Sequence, residues 1–151
     1  MIYTVSEMAK LLDVAPSTLR YYDKEGLLPF VERSEGGMRV FTEKDYQWMQ
    51  IITCLKKAGM QIKDIKRYIQ MAMEGDETIE ERLSMFQEQR QRILEQINQL
   101  QQTLEVVDYK CWYYETAKAA GTADVPAQMT EAEIPERFCE VRRRLRGDHE
   151  E

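Results

Sequence analysis

Apolar residues in the first third of the chain fall into short helical patterns broken by turn residues. Thr4-Val5-Ser6-Glu7 has the form of a capping box, in which the Thr hydroxyl accepts a backbone N–H and the Glu carboxylate reaches back to the N-cap. Behind it Val5, Met8, Ala9 and Leu12 share one helical face, and the helix stops near Asp13. Pro16 suits the first position of a second helix, where its missing N–H costs nothing. Ala15 before it offers no side-chain acceptor for a cap. The second helix carries Ser17, Thr18, Leu19, Arg20, Tyr21 and Tyr22, and Gly26 ends it. Two short helices joined by about four residues predict a helix-turn-helix. Pro29 then breaks helix, and Phe30, Val31, Met38, Val40 and Phe41 flank the turn Ser34-Glu35-Gly36-Gly37, which predicts a hairpin, or wing, of two strands. Thr42 caps a third helix to about Ala58, with Trp48, Ile51, Ile52 and Leu55 inward and Gly59 as its C-terminal turn. A fourth helix covers about Gln61 to Met73 with Ile62, Ile65 and Ile69 on one face.

From Thr78, read with Glu81 as another capping box, the period changes. Ile79, Leu83, Phe86, Arg90, Ile93, Ile97, Leu100, Leu104, Val107, Cys111 and Tyr114 follow in steps of four and three. A 3.5-residue period held this long predicts a coiled-coil seam. About 40 residues at 1.5 Å each span roughly 60 Å, and one helix of that length leaves its own seam uncovered. The economical cover is the same helix of a second copy, giving a two-fold homodimer. Gly121 to Gln128 reads as a loop. A last short helix is expected from near Pro135, carrying Phe138, Val141 and Leu145 inward, before a disordered tail from Gly147 to Glu151. The expected fold class is mainly α: a winged helix-turn-helix head with two further helices, then a long antiparallel coiled-coil dimerisation helix. The expected divisions are 1–74 for the head, 75–120 for the dimerisation helix and 121–151 for the remainder.

Charge changes this picture little. The net formal charge of −6 argues against nucleic acid as a partner. Its distribution is uneven: residues 1–74 carry eleven Lys/Arg and ten Asp/Glu, so the surplus of acid lies wholly in the rest. A head at +1 is no strong phosphate-binding field, so any case for DNA rests on local pattern. No uncharged apolar run reaches the length of a membrane span, and the start has neither a basic nor an apolar leader region. Cys54, Cys111 and Cys139 are too scattered for a disulfide framework, which points to a reduced, cytoplasmic protein.

The candidate chemistry begins with the second helix. Ser17, Thr18 and Arg20 are the short polar and cationic residues that a helix entering the major groove needs. Tyr21 and Tyr22 suit phosphate contacts through their hydroxyls, or a core role through their rings. Arg33 and Arg39 flank the Gly36-Gly37 turn and suit a phosphate or minor-groove contact, or are simply solvated. No motif calls for a cofactor or a metal. The chain lacks a Gly-rich phosphate loop and a base-competent His, His149 being the only histidine, so an enzyme is disfavoured. A coiled-coil adaptor with a protein-binding head stands as the alternative.

Taken together, the run Thr4 to Lys10, the run Val14 to Pro29 and the segment Gly37-Met38-Arg39-Val40-Phe41 resemble the MerR family of bacterial transcription regulators. The match is close to about residue 73 and architectural over the long helix. The resemblance implies a homodimer on promoter DNA, with Thr4, Ser17, Thr18, Arg20, Tyr21, Tyr22, Arg33, Gly37 and Arg39 at the duplex. It implies distortion of the promoter in response to an effector, so that RNA polymerase engages it. Met38 stands where the family usually has Tyr, and Ala15 where it usually has Ser. Metal-sensing members carry cysteines in the loop after the dimer helix, and Gly121 to Gln128 has none. Cys54-Leu55-Lys56-Lys57-Ala58-Gly59 resembles the subgroup responding to aldehydes and other electrophiles through this cysteine. Lys56 and Lys57 favour a thiolate there, and the competing reading is a small core residue. Tyr109, Trp112 and Tyr113 suit a small-molecule effector pocket, or packing against the Phe138 helix. The arginines at 142, 143, 144 and 146 read as solvated or paired with Glu136 and Glu140, ahead of a second DNA contact.

Overall fold

A computed structural model of the chain describes residues 1–147; the expected disorder of the tail and the place of His149 lie outside the described residues. The molecule is mainly helical. It divides into two compact units, Met1–Gln91 and Arg92–Glu151.

In the first unit, strand β1 (Ile2–Tyr3) leads into α1 (Val5–Leu11) and α2 (Pro16–Lys24). Thr4 forms the expected capping box: its Oγ1 accepts from Glu7 N at 3.3 Å, and its N donates to Glu7 Oε2 at 2.7 Å. Those hydrogen bonds from the Thr4 N–H and then the hydroxyl hold the Glu7 carboxyl below its ordinary value. Asp13 turns the chain at φ 53°, a conformation Asp tolerates better than most residues. The wing is β2 (Glu32–Arg33) and β3 (Arg39–Thr42), paired antiparallel with Arg33 opposite Arg39. The sheet has one strand more than expected. β1 pairs with the other edge of β3, Tyr3 opposite Phe41, giving the order β1-β3-β2. A two-residue strand carries too little periodicity to be seen in sequence.

Helix α3 (Glu43–Lys57) starts on a second capping box, Thr42 with Asp45, and α4 spans Ile62–Glu74. The core of this unit joins α1, α2, β3, α3 and α4 through Met8, Leu19, Leu27, Phe41, Met49, Ile52 and Ile65, all fully buried. Ile51, expected inward, is 38% exposed. The inward face of α3 runs through Asp45, Met49, Ile52, Thr53 and Leu55, so Ile52 and Leu55 lie inward as expected and Ile51 lies off that stripe. Trp48 is half-buried and stacks on Phe30 with ring centroids 5.7 Å apart.

The expected capping box at Thr78 does not form. Thr78 lies in a 3-10 turn, Asp76–Thr78, and its hydroxyl donates back to Met71 O at 2.5 Å and Gly75 O at 2.9 Å. It therefore closes the C-terminal end of α4, where carbonyls lack partners, rather than opening the next helix. Glu81 faces Arg67 at 3.7 Å.

Helix α5 spans Ile79–Ala120. Its first turns complete the first unit: Phe86 meets Tyr68 edge-on at 5.0 Å, and Gln89 Nε2 donates to Ala58 O at 3.2 Å. The seam stays open, with Ile79, Leu83, Leu100, Leu104, Val107 and Tyr114 all at least half exposed. That stripe fits a coiled-coil dimer.

The second unit holds the rest of α5, then α6 (Asp124–Gln128), 3-10 turns at Glu131–Glu133 and Glu136–Phe138, and α7 (Cys139–Arg146). The segment read as a loop thus contains a short helix, with Pro126 buried in its first turn. Phe138 and Val141 are buried as expected, but Leu145 is 49% exposed and Arg142 takes an inward place at 3%.

Replacing Thr78 by Val should lower the unfolding free energy in urea by about 1–2 kcal/mol, because a buried and a part-buried carbonyl lose a shared donor. An unchanged midpoint would mean that the hydroxyl does not close α4.

Candidate nucleic-acid interface

The second helix presents a polar face. Ser17, Arg20 and Tyr21 are exposed and Thr18 is half-buried, while Leu19 and Tyr22 point into the core. Tyr22, expected beside Tyr21 at the duplex, is 4% exposed. Burial, and then the neighbouring Tyr21, hold its phenol above the ordinary tyrosine value. It serves α2 as a packing residue. The turn into the helix explains the split: Pro16 sets the helix start, and Leu19 and Tyr22 follow at a spacing of three.

Thr4, Arg20, Gly37, Met38 and Arg39 line one cleft of about 450 Å³ between the start of α1, helix α2 and the wing. Four of the nine sequence candidates therefore meet in one place. The Thr4 hydroxyl is engaged with Glu7 there, so its role in the cleft is to fix the start of α1. Gly37 adopts φ 77° in the wing turn, which Ser34 closes by accepting from Gly37 N at 2.8 Å. Met38 is 72% exposed at the tip.

The wing arginines are not loose. Asp23 Oδ2 accepts from Arg33 Nη2 at 2.9 Å and also from Arg39 Nη2. Arg33 Nη1 donates in addition to Gly37 O at 3.3 Å. One carboxylate on α2 thus holds both guanidinium groups of the wing. The sequence reading missed Asp23. Its signal was available, since it lies one helical turn after Arg20 and so shares that residue's exposed edge.

The other candidates lie elsewhere. Cys54 is exposed, not a core residue. It lines a cleft of about 420 Å³ with Leu11, Leu12, Asp13, Gln50, Thr53 and Lys57. Lys57 shares that cleft, whereas Lys56 is not part of its lining. In the second unit Tyr109 is buried against Phe138, with centroids 5.8 Å apart, and Trp112 stacks on Tyr109 and lies tilted against Phe138. Tyr113 donates its hydroxyl to Ala123 O at 3.1 Å. These rings pack on the residues before α7. The C-terminal arginines pair with acids other than those expected: Arg143 with Glu131 at 2.8 Å and Arg144 with Glu105 at 3.8 Å. Among the described residues no helix is long and apolar enough to cross a membrane, and no group of three acid, His or Cys residues is placed to hold a metal ion.

A helix-turn-helix with a wing tied to its second helix defines the class of a DNA-binding regulator. The chain belongs to the MerR family of helix-turn-helix regulatory proteins. Residues 3–72 match the family description "MerR HTH family regulatory protein", and residues 46–108 match "MerR, DNA binding". An uncharacterized HTH-type transcriptional regulator of Haemophilus influenzae is 48% identical over 122 residues, covering 81% of this chain and 90% of that protein. The transcriptional regulator AdhR of Bacillus subtilis is 36% identical over 60% of this chain and 65% of its own length. Among solved structures, HiNmlR, a MerR family regulator lacking the sensor domain and bound to promoter DNA, superposes with a TM-score of 0.79 at 44% identity, covering 89% of this chain and all of that one. The protein is therefore a transcription regulator rather than an enzyme, and the adaptor reading is set aside.

Native-state labelling checks the position of Cys54. It should react with a maleimide in the folded protein, and Cys54→Ala should cost less than about 0.5 kcal/mol, the range of surface changes. Protection from the reagent, or a cost near 2 kcal/mol, would return the residue to the core.

Proposed function

We propose that two copies pair antiparallel through the α5 seam and set their heads on two half-sites of a promoter. In this reading residues 1–74 read DNA, 75–120 dimerise and 121–151 form the C-terminal loop, short helix and tail. Ser17, Thr18, Arg20 and Tyr21 enter the major groove, while Arg33, Gly37 and Arg39 take the flanking backbone. The observation that carries this is the shared cleft, in which Arg20 and Arg39 come from different elements onto one face. HiNmlR, the solved relative bound to promoter DNA, supports the same use of the head. The reaction to an effector is a change in DNA geometry that lets RNA polymerase engage, in the cytoplasm of a bacterial cell.

For the effector, the exposed Cys54 favours an electrophile. Its thiol opens onto a cleft large enough for a small organic molecule, with Lys57 in the lining. The aromatic group at Tyr109, Trp112 and Tyr113 is the second candidate, and its packing on Phe138 leaves it less open.

Arg20→Ala should remove preference for the protein's own promoter over random duplex in a gel shift, with the dimer intact by sedimentation. Wild-type binding should weaken steeply between about 50 and 200 mM salt. Retained full affinity in the variant would show that α2 does not read the groove.

Cys54→Ser should abolish the response of the promoter to aldehydes while basal DNA affinity stays within about twofold. An undiminished response would move sensing away from α3.

A further inference from the structure

The first two turns of α7 carry a buried cation that the described structure leaves short of partners. Arg142 is 3% exposed. Its Nη2 donates to Ala127 O at 3.3 Å, while Nε and Nη1 are buried without a hydrogen-bond partner. A guanidinium has five donors, and a buried donor left without an acceptor is costly. The acids nearby are already engaged. Glu131 takes two bonds from Arg143, at 2.8 and 3.3 Å. Glu133 takes its bonds from Thr130 N at 2.7 Å and Thr130 Oγ1 at 2.8 Å. Arg146 Nη2 donates to Ala127 O at 3.0 Å, onto the same carbonyl as Arg142. Arg142, Arg143 and Arg146, with Met129, Thr130 and Glu131, line a cavity of about 70 Å³. Among the described residues, Arg142 Nε and Nη1 are the buried donors at this cavity that no acceptor answers. The arginines also act on the nearby acid: hydrogen bonding by Arg143, then the charges of Arg143, Arg142 and Arg146, hold Glu131 below its ordinary value.

We infer that this cavity is a binding site for a compact oxyanion, a carboxylate or phosphate group, with Arg142 as its buried anchor and Arg146 at its rim. The volume fits a group of a few heavy atoms and excludes a large ring system. Planar guanidinium groups match two oxygens of such an anion at once. The site lies wholly within the second unit, on residues that no reading of the head uses. It therefore stands or falls separately from the DNA contacts.

The test uses thermal unfolding of the full chain in chloride, acetate and inorganic phosphate at matched ionic strength and pH. Phosphate should raise the Tm by about 3 °C once it is tenfold above its Kd. A gain in acetate as well assigns a carboxylate-sized ligand, and a gain in phosphate alone assigns a phosphate group; either supports the site. Arg142→Met should lose the gain. In chloride it should melt no lower than wild type, because two buried donors without partners are gone. Arg146→Gln changes an exposed residue and keeps the readout open should Arg142→Met fail to fold. Its phosphate affinity, by calorimetry, should fall at least fivefold. Equal gains in wild type and in the variants would be a bulk salt effect and would overturn the proposal. So would an unchanged phosphate affinity in Arg146→Gln. Promoter binding by Arg146→Gln in chloride should stay within twofold of wild type.

Discussion

The apolar stripe of α5 is the constraint on which the rest depends. Leu100 at 68% exposed and Leu104 at 57% are positions where full burial is worth about 1.5–3 kcal/mol each. A lone chain forgoes that energy along the whole stripe. A second copy recovers it, and a two-fold axis follows from using the same stripe twice. The symmetry has a consequence for the head. A single head carries eleven basic and ten acidic residues in 1–74, too even a balance to hold DNA by its field alone. In the proposed dimer, doubling the head doubles the phosphate contacts and requires that two half-sites be present together. Specificity then arises from spacing as much as from any one side chain.

Within the head the same economy appears at Asp23. An acidic residue on a helix proposed to face DNA opposes phosphate, yet here it accepts from both wing arginines. It gives up some attraction and gains fixed geometry, since two long side chains no longer lose their rotamer freedom on binding. β3 anchors the arrangement from the other side. Phe41, in that strand, is fully buried, and β1 pairs along its edge. The wing is therefore an outgrowth of the core.

Local chemistry was the legible part of this fold. Thr4 with Glu7 and Thr42 with Asp45 were readable because a capping box spans only four residues. The long helix was readable because its period persists over many turns. What escaped depends on which neighbour a side chain meets. Thr78 has the spacing of a cap, but the preceding helix ends close enough to claim its hydroxyl. Cys54 sits between Thr53 and Leu55, both buried, and only the rotation of α3 puts it outside. Tyr21 and Tyr22 are the same residue type in adjacent positions, so composition does not separate the one that faces solvent from the one that faces Leu19's side of the helix. The place of Asp23 on α2 is legible from Arg20, but its partners are two arginines ten and sixteen residues away, which spacing on one helix does not reveal.

α7 shows the same difficulty in its sharpest form. Phe138, Val141 and Leu145 make an acceptable apolar face on a helical wheel, and arginines around them read as the wet side. The helix instead turns Val141 and Arg142 inward together and leaves Leu145 out. Pattern rules assume that a charge is expensive to bury, and so assign it to water. That assumption holds when nothing waits for the charge inside. Ala127 O and the turn at Thr130–Glu133 supply polar surroundings that make the inward position tolerable without completing it. The residue that breaks the pattern is thus the one whose surroundings call for an anion, and a failed helical-wheel assignment becomes a pointer to chemistry in this unit.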